Sequence, residues 1–389
     1  MRPSSRGTRR SATIARASLP VRVGILLLLA AAPARAQLVR GVVVDSASDE
    51  PLAGATVRLV DADGSAVGGA LLGDNGRFVL RAPSPGRYAV HVQRVGWTMT
   101  RDTMLDLAAS DTVWRRIVVA AVPVSLAEIR ITARPSCDAR ADSRETLLVW
   151  EEARKALDAT MLTSGSRHIR AAVVDYERRL DLRTLAVTKE TREERVGLVE
   201  QPYVSRPAES FSHEGYMQDM GGETWLFAPS AEVLLAPSFV REHCLHLVPG
   251  RGSRSGMIGL GFEPVKSRTV SDIAGVLWLD VGTAELRDLE FRYTGLPDYM
   301  PVEKIGGSVE FARLPNGGWV MRRWSVRAPI LQRSVQPRLA GVVPGAVAAR
   351  HDVSRQVRMK VLGIREAAGE ILWATTTTGT PLFGTPPNP

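Results

Sequence analysis

The chain is poor in the residues from which familiar active sites are made. It has two cysteines and six histidines among 389 residues. No histidine is followed by glutamate at the third position, and H-E-x-x-H is absent, so no single element offers the ligand pair of a zinc hydrolase. The stretch "GRGSRSG" is not a nucleophile elbow, because Arg254 stands where the serine would be. No P-loop and no Rossmann glycine pattern occurs. After residue 36 no run is apolar enough to cross a bilayer as a helix. These absences favour a non-catalytic protein with no metal and no cofactor.

Acidic residues are missing from positions 1–36, which carry seven arginines. Without those seven, the 50 basic residues fall to 43 against 41 acidic ones. The remaining balance has no electrostatic footprint for nucleic acid. The same segment has the layout of a secretory signal: a basic start, an apolar Val23–Ala32, and Ala34-Arg35-Ala36 as an A-x-A cleavage site. The apolar run is too short for a span, and no cysteine follows the site to carry a lipid. An exported chain is expected, periplasmic or extracellular and in reach of the outer membrane, in a compartment where thiols tend to pair.

Length indicates two folded domains. Residues 37–122 alternate short apolar runs with turn signals and show no helical period. Asp63-Gly64 and Asn75-Gly76 suit tight hairpins, and Pro85-Gly86 turns the chain again. Val57 and Leu59, Phe78 and Leu80, and Tyr88, Val90 and Val92 recur at period two and should share one core. "DADG" and "GDNG" lack the further ligands of a calcium loop and read as turns. The pattern is that of a seven-stranded-type β-sandwich.

The ordered set Gly41, Asp45, Pro51-Leu52-Ala53-Gly54-Ala55, Val57, Asp61, Gly64, Asp74, Gly76, Phe78, Pro85-Gly86, Tyr88 and Gly96-Trp97 resembles the carboxypeptidase regulatory-like domain. That resemblance implies a transthyretin-like, carbohydrate-binding-like sandwich used as an accessory module. It makes Tyr88 and Trp97 the candidate contacts for a glycan, against the ordinary reading of strand aromatics as core. Residues 123–144 form a linker. Its "SLAEIRITA" resembles the segment that joins such domains to outer-membrane receptor plugs, but the chain left over is too short for the receptor's barrel.

The second domain, 145–374, opens with one amphipathic helix over Glu145–Ala159. Leu147, Leu148, Trp150, Ala153 and Leu157 form its apolar side, and Glu151, Glu152, Arg154 and Lys155 its wet side. A broad antiparallel meander follows, expected to curl around the helix. The hairpin "GVLWLDVGTAELRDLEFRY" is similar in rhythm to periplasmic lipoprotein-carrier half-barrels. Asp272, Asp280, Glu285 and Glu290 near it are read as salt-bridge partners of arginines rather than a glycosidase pair. Residues 375–389 should form a disordered tail.

"REHCLH" is the densest chemical cluster. On a strand, His243 and Leu245 face one way, Cys244 and His246 the other. A metal site would need His213 or Glu214 from elsewhere, and a thiolate nucleophile would have to stay reduced outside the cytoplasm. The economical reading pairs Cys137 with Cys244 in a disulfide. The expected function is binding or assembly at the cell envelope, with a glycan or an envelope protein as partner. A hydrolase and a carrier of a lipid or other hydrophobic ligand are the rival readings.

Overall fold

Period-two alternation builds the first unit as expected. The computed structural model describes residues 37–97, 100–101, 104–120, 122–129, 143–203, 205–221, 223–337 and 355–386. Eight strands come first: β1 (Gln37–Asp45), β2 (Thr56–Asp61), β3 (Ala66–Leu71), β4 (Arg77–Ala82), β5 (Gly86–Gln93), β6 (Thr100–Arg101), β7 (Leu105–Leu107) and β8 (Thr112–Val119). One sheet runs β4-β1-β8, with β1 antiparallel to β4 and parallel to β8. The other runs β3-β2-β5-β6, with β7 also on β5. Val57, Leu59, Phe78, Leu80, Tyr88, Val90 and Val92 are all buried between them. Gly76 turns the chain at φ +61, where a β-carbon would lie 2.6 Å from the Val43 carbonyl oxygen.

The helix α1 (Arg144–Gly165) starts where Ser143 Oγ accepts the Thr146 N–H at 3.1 Å. It is longer than the sequence pattern suggested, and of its expected wet side Glu151 and Arg154 stay half-exposed, paired at 2.7 Å, whereas Glu152 and Lys155 are buried. Glu152, Lys155 and Asp158, three residues apart and so in line, are 1, 3 and 6% exposed. Asp158 accepts from Arg58 Nε at 2.9 Å and from Gln93 Nε2 at 2.5 Å. Lys155 Nζ lies 2.6 Å from Glu152 Oε1 and donates to the Trp97 carbonyl at 2.6 Å. Glu152 Oε2 accepts the Gly96 N–H at 2.8 Å. The stripe therefore docks α1 onto β2, β5 and the turn after β5, with each charge hydrogen-bonded as burial requires. Burial still pushes the Glu152 carboxyl above its usual range, outweighing Lys155 and the Gly96 N–H.

The second unit continues with β9 (Ile169–Leu180), β10 (Val187–Leu198), α2 (Ala208–Glu214), β11 (Met217–Met220), β12 (Glu223–Leu226), α3 (Ala231–Leu235) and α4 (Pro237–Glu242). Then come β13 (His243–Pro249), β14 (Met257–Pro264), β15 (Asp272–Asp280), β16 (Leu286–Thr294), β17 (Gly306–Arg313), β18 (Trp319–Pro337), β19 (Arg355–Thr376) and β20 (Pro381–Phe383). The large sheet runs β10-β9-β19-β18-β17-β16-β15-β14-β13, with β20 on β19. Its end strands β10 and β13 do not pair, so it is an open sheet and not a barrel. A single helix, α1, packs against β13, β14, β15, β16 and β18, so the sheet curls around it.

Two further segments depart from the sequence pattern. The region read as loop-broken contains three further helices, too short to show a period. The segment from 375 is not disordered through residue 386: Leu382 is buried in the main core, and the Arg322 guanidinium lies 4.6 Å from the Phe383 ring centroid. Two apolar side chains three residues beyond a turn suffice to tether a polar tail.

Candidate functional site

The structure removes Tyr88 from the candidate contacts for a glycan. It is 4% exposed, and its Oη donates to the Ser84 carbonyl at 2.8 Å, tying the Pro85-Gly86 turn to the core. Trp97 is half-buried beneath Arg94, whose guanidinium sits 4.3 Å from the ring centroid, and its carbonyl receives Lys155. It belongs to the junction with α1 and not to an open platform.

Cys244 is buried on β13 opposite Glu263, and Cys137 lies outside the described residues. The alternation expected along "HCLH" is present. His243 points into a buried network in which Nδ1 meets the Phe239 carbonyl at 2.9 Å and Nε2 lies 3.2 Å from Asp272 Oδ1. Arg268 closes the network onto Asp272 at 2.7 Å and Glu242 at 3.2 Å. His246 is half-buried on the other side, and burial lowers the affinity of its ring for a proton. Among the described residues no group of three or more histidine, cysteine or carboxylate side chains could hold a metal ion.

The four hairpin carboxylates are each engaged in structure. Asp272 belongs to the His243 network. Asp280 accepts the Gly282 and Thr283 N–H groups, both at 2.9 Å, closing the turn between β15 and β16. Glu285 meets Arg287 at 2.9 Å, and Glu290 is paired with Arg254.

What sequence reasoning missed is a cleft of about 550 Å³ assembled from distant segments. Its floor is the α1-facing side of β18 and β19, where Trp324 stands beside Gly369 and Val326 beside Ala367 in register. Its wall is the β11–β12 hairpin and the chain after it, with Trp225 and Phe227, joined by Pro202 and Tyr203. Trp225 is 47% exposed, although it is the largest side chain of the wall. The wall is anchored at two points: Tyr203 Oη donates to the Pro229 carbonyl at 2.9 Å and Tyr293 Oη to the Phe227 carbonyl at 3.1 Å. Burial pushes both phenols far above their usual range, so both remain donors. Ion pairs stand beside the floor: Asp175 and Glu177 on β9 adjoin β19 in register on the same face, Asp175 paired with Arg195 at 2.9 Å and Glu177 with Arg365 at 3.5 Å. An apolar floor flanked by ion pairs, with an exposed tryptophan opposite it, suits an apolar group with a polar end.

A second, polar cleft of about 730 Å³ includes a cross-strand row, Arg178 on β9, Glu366 on β19 and Arg327 on β18. Burial alone would raise the Glu366 carboxyl. Hydrogen bonds from Arg327 at 2.7 Å, Ser325 at 2.9 Å and Arg178 at 3.2 Å outweigh it and hold the group below its usual range. The row satisfies itself and locks three strands together.

Residues 38–120 match the carboxypeptidase regulatory-like domain. No curated protein matches the chain. Among solved structures, the 5-hydroxyisourate hydrolase of Klebsiella pneumoniae is similar over 22% of this chain and 85% of its own, at 15% identity and a TM-score of 0.18. A candidate carbohydrate-binding protein from Bacteroides uniformis is similar over 66% of this chain and 95% of its own, at 8% identity and a TM-score of 0.19. A DUF3823 family protein from the same organism is similar over 67% of this chain and its whole own length, at 12% identity and a TM-score of 0.18. Scores this low carry no argument about the present chain.

Proposed function

We propose that this is an exported, non-catalytic binding protein of the cell envelope whose second unit holds the apolar part of an amphiphilic ligand. The observation that carries the reading is Trp225, left half-exposed over a cleft floored by Trp324 and Val326. A large aromatic wall is stabilised when a ligand removes it from water, and the ion pairs beside the floor offer hydrogen bonds to a polar end. A cleft near 550 Å³ falls within the range of small-molecule sites, about 300–1,000 Å³. Export rests on the leader at 1–36; among the described residues no helix is long and apolar enough to cross a membrane. The reading includes a Cys137–Cys244 disulfide fastening the junction to β13, supported by the absence of a free cysteine among the described residues.

The test is an equilibrium titration of the chain lacking residues 1–36 with a single-chain lysophospholipid below its micelle concentration, followed by tryptophan fluorescence, beside neutral oligosaccharides. Saturable binding of the amphiphile alone supports the proposal. Saturable binding of the oligosaccharides alone, or of neither, refutes it.

A further inference from the structure

The two faces of the first sandwich are treated differently. The outer side of β2 and β5 is covered by the second unit: Thr56, Val60 and Gln93 are buried, and Arg58 reaches Asp158. The outer side of β4-β1-β8 is open, and it is not the polar surface that a solvated sheet face should be. Register sets Val79, Arg40 and Trp114 side by side across the three strands. Alternation adds Arg77 and Arg81 on β4 and Val118 on β8 to the same face. Trp114 is 62%, Val79 57% and Val118 46% exposed, so three apolar side chains spend their area on water.

The charged strand residues on this face are all arginines. Arg116 is paired with Asp49. Arg40, Arg77 and Arg81 have no ion pair among the described residues, and no carboxylate shares their strand positions on that side. From this charge and apolar pattern we infer that the face docks on an anionic lipid bilayer. An indole ring settles at the level of lipid headgroups. Arginine stems lie along apolar surface while their guanidinium groups reach phosphate. The valines complete the match, since they gain from the acyl boundary and offer little to a sugar ring, which needs aromatic platforms. The inference is independent of the cleft, which lies in the other unit.

The experiment uses the chain lacking residues 1–36, sedimented with phosphatidylcholine vesicles and with mixed phosphatidylcholine–phosphatidylglycerol vesicles at low and high salt. Binding is expected only with phosphatidylglycerol present and should fade with salt. Trp114→Ala should weaken it about tenfold or more. Each arginine removed should weaken it about fivefold, and the charge reversal Arg40→Glu/Arg81→Glu should abolish it. All of these variants alter exposed side chains, and circular dichroism checks that they fold. Equal binding to neutral vesicles, no binding to either, or unchanged binding by the variants overturns the inference. So does soluble dextran sulfate binding while vesicles do not, which would make the face a site for an anionic polymer.

Discussion

The charged stripe of α1 gives the sharpest stability prediction. Glu152 and Lys155 are 1% and 3% exposed, 2.6 Å apart, and each holds a backbone group of the turn after β5. Removing one partner strands the other charge in the interface, a loss of about 3–5 kcal/mol. Lys155→Met and Glu152→Gln should each fall in that range. Because burial pushes Glu152 up despite its lysine, desolvation exceeds attraction here, and the pair taken as a unit adds little. The double variant should therefore cost only about 1–3 kcal/mol, the loss from the Trp97 carbonyl without its donor. Urea unfolding followed by circular dichroism on all four chains measures the coupling. Single losses below about 1 kcal/mol that simply add would refute the reasoning and return the stripe to solvent.

Three other outcomes are expected. Gly54 and Gly317 meet backbone to backbone at φ +69 and +81, and a β-carbon on Gly317 would lie 2.0 Å from the Gly54 α-carbon; Gly317→Ala should lower the melting temperature clearly, by a loss of about 1–3 kcal/mol, and an unchanged melting curve would contradict that contact. Glu366 is held below its usual range, so its stabilisation is full above the unfolded value near 4.5 and is lost as pH falls through its lower folded value; the advantage of the wild type over Glu366→Gln should shrink in that acid window, and an advantage that grows there would contradict the sign. Alkylation of the unreduced chain should add no mass, because the proposed Cys137–Cys244 bridge leaves no thiol to react; any added mass sinks the bridge.

The sandwich was legible because its signals are local. Asn75-Gly76 and Asp63-Gly64 turn where the glycines allow positive φ, and the period-two residues of β2, β4 and β5 are its core. The curled sheet was legible as a class, and "HCLH" as a strand whose faces alternate. Placing Glu152 and Lys155 on the wet side of α1, with Glu151 and Arg154, was wrong for a physical reason. A charge run reads as solvated unless its partners are known, and Arg58, Gln93, Gly96 and Trp97 lie 56 to 100 residues away. The cleft was hidden for the same reason. Trp225 and Trp324 look like two core aromatics in the sequence, and only the fold of the β11–β12 hairpin over β18 makes one a wall and the other a floor. Helices of five to seven residues, such as α2, α3 and α4, carry too few positions to show a 3.6-residue period.

The central claim is that a ligand's apolar part lies between Trp225 and Trp324. The most direct measurement is the affinity of the lysophospholipid for the wild type, Trp225→Ala and, as a control on the remote sandwich face, Trp114→Ala. The account predicts a loss of about tenfold or more for Trp225→Ala and no change for Trp114→Ala. Equal affinities for all three chains would contradict it.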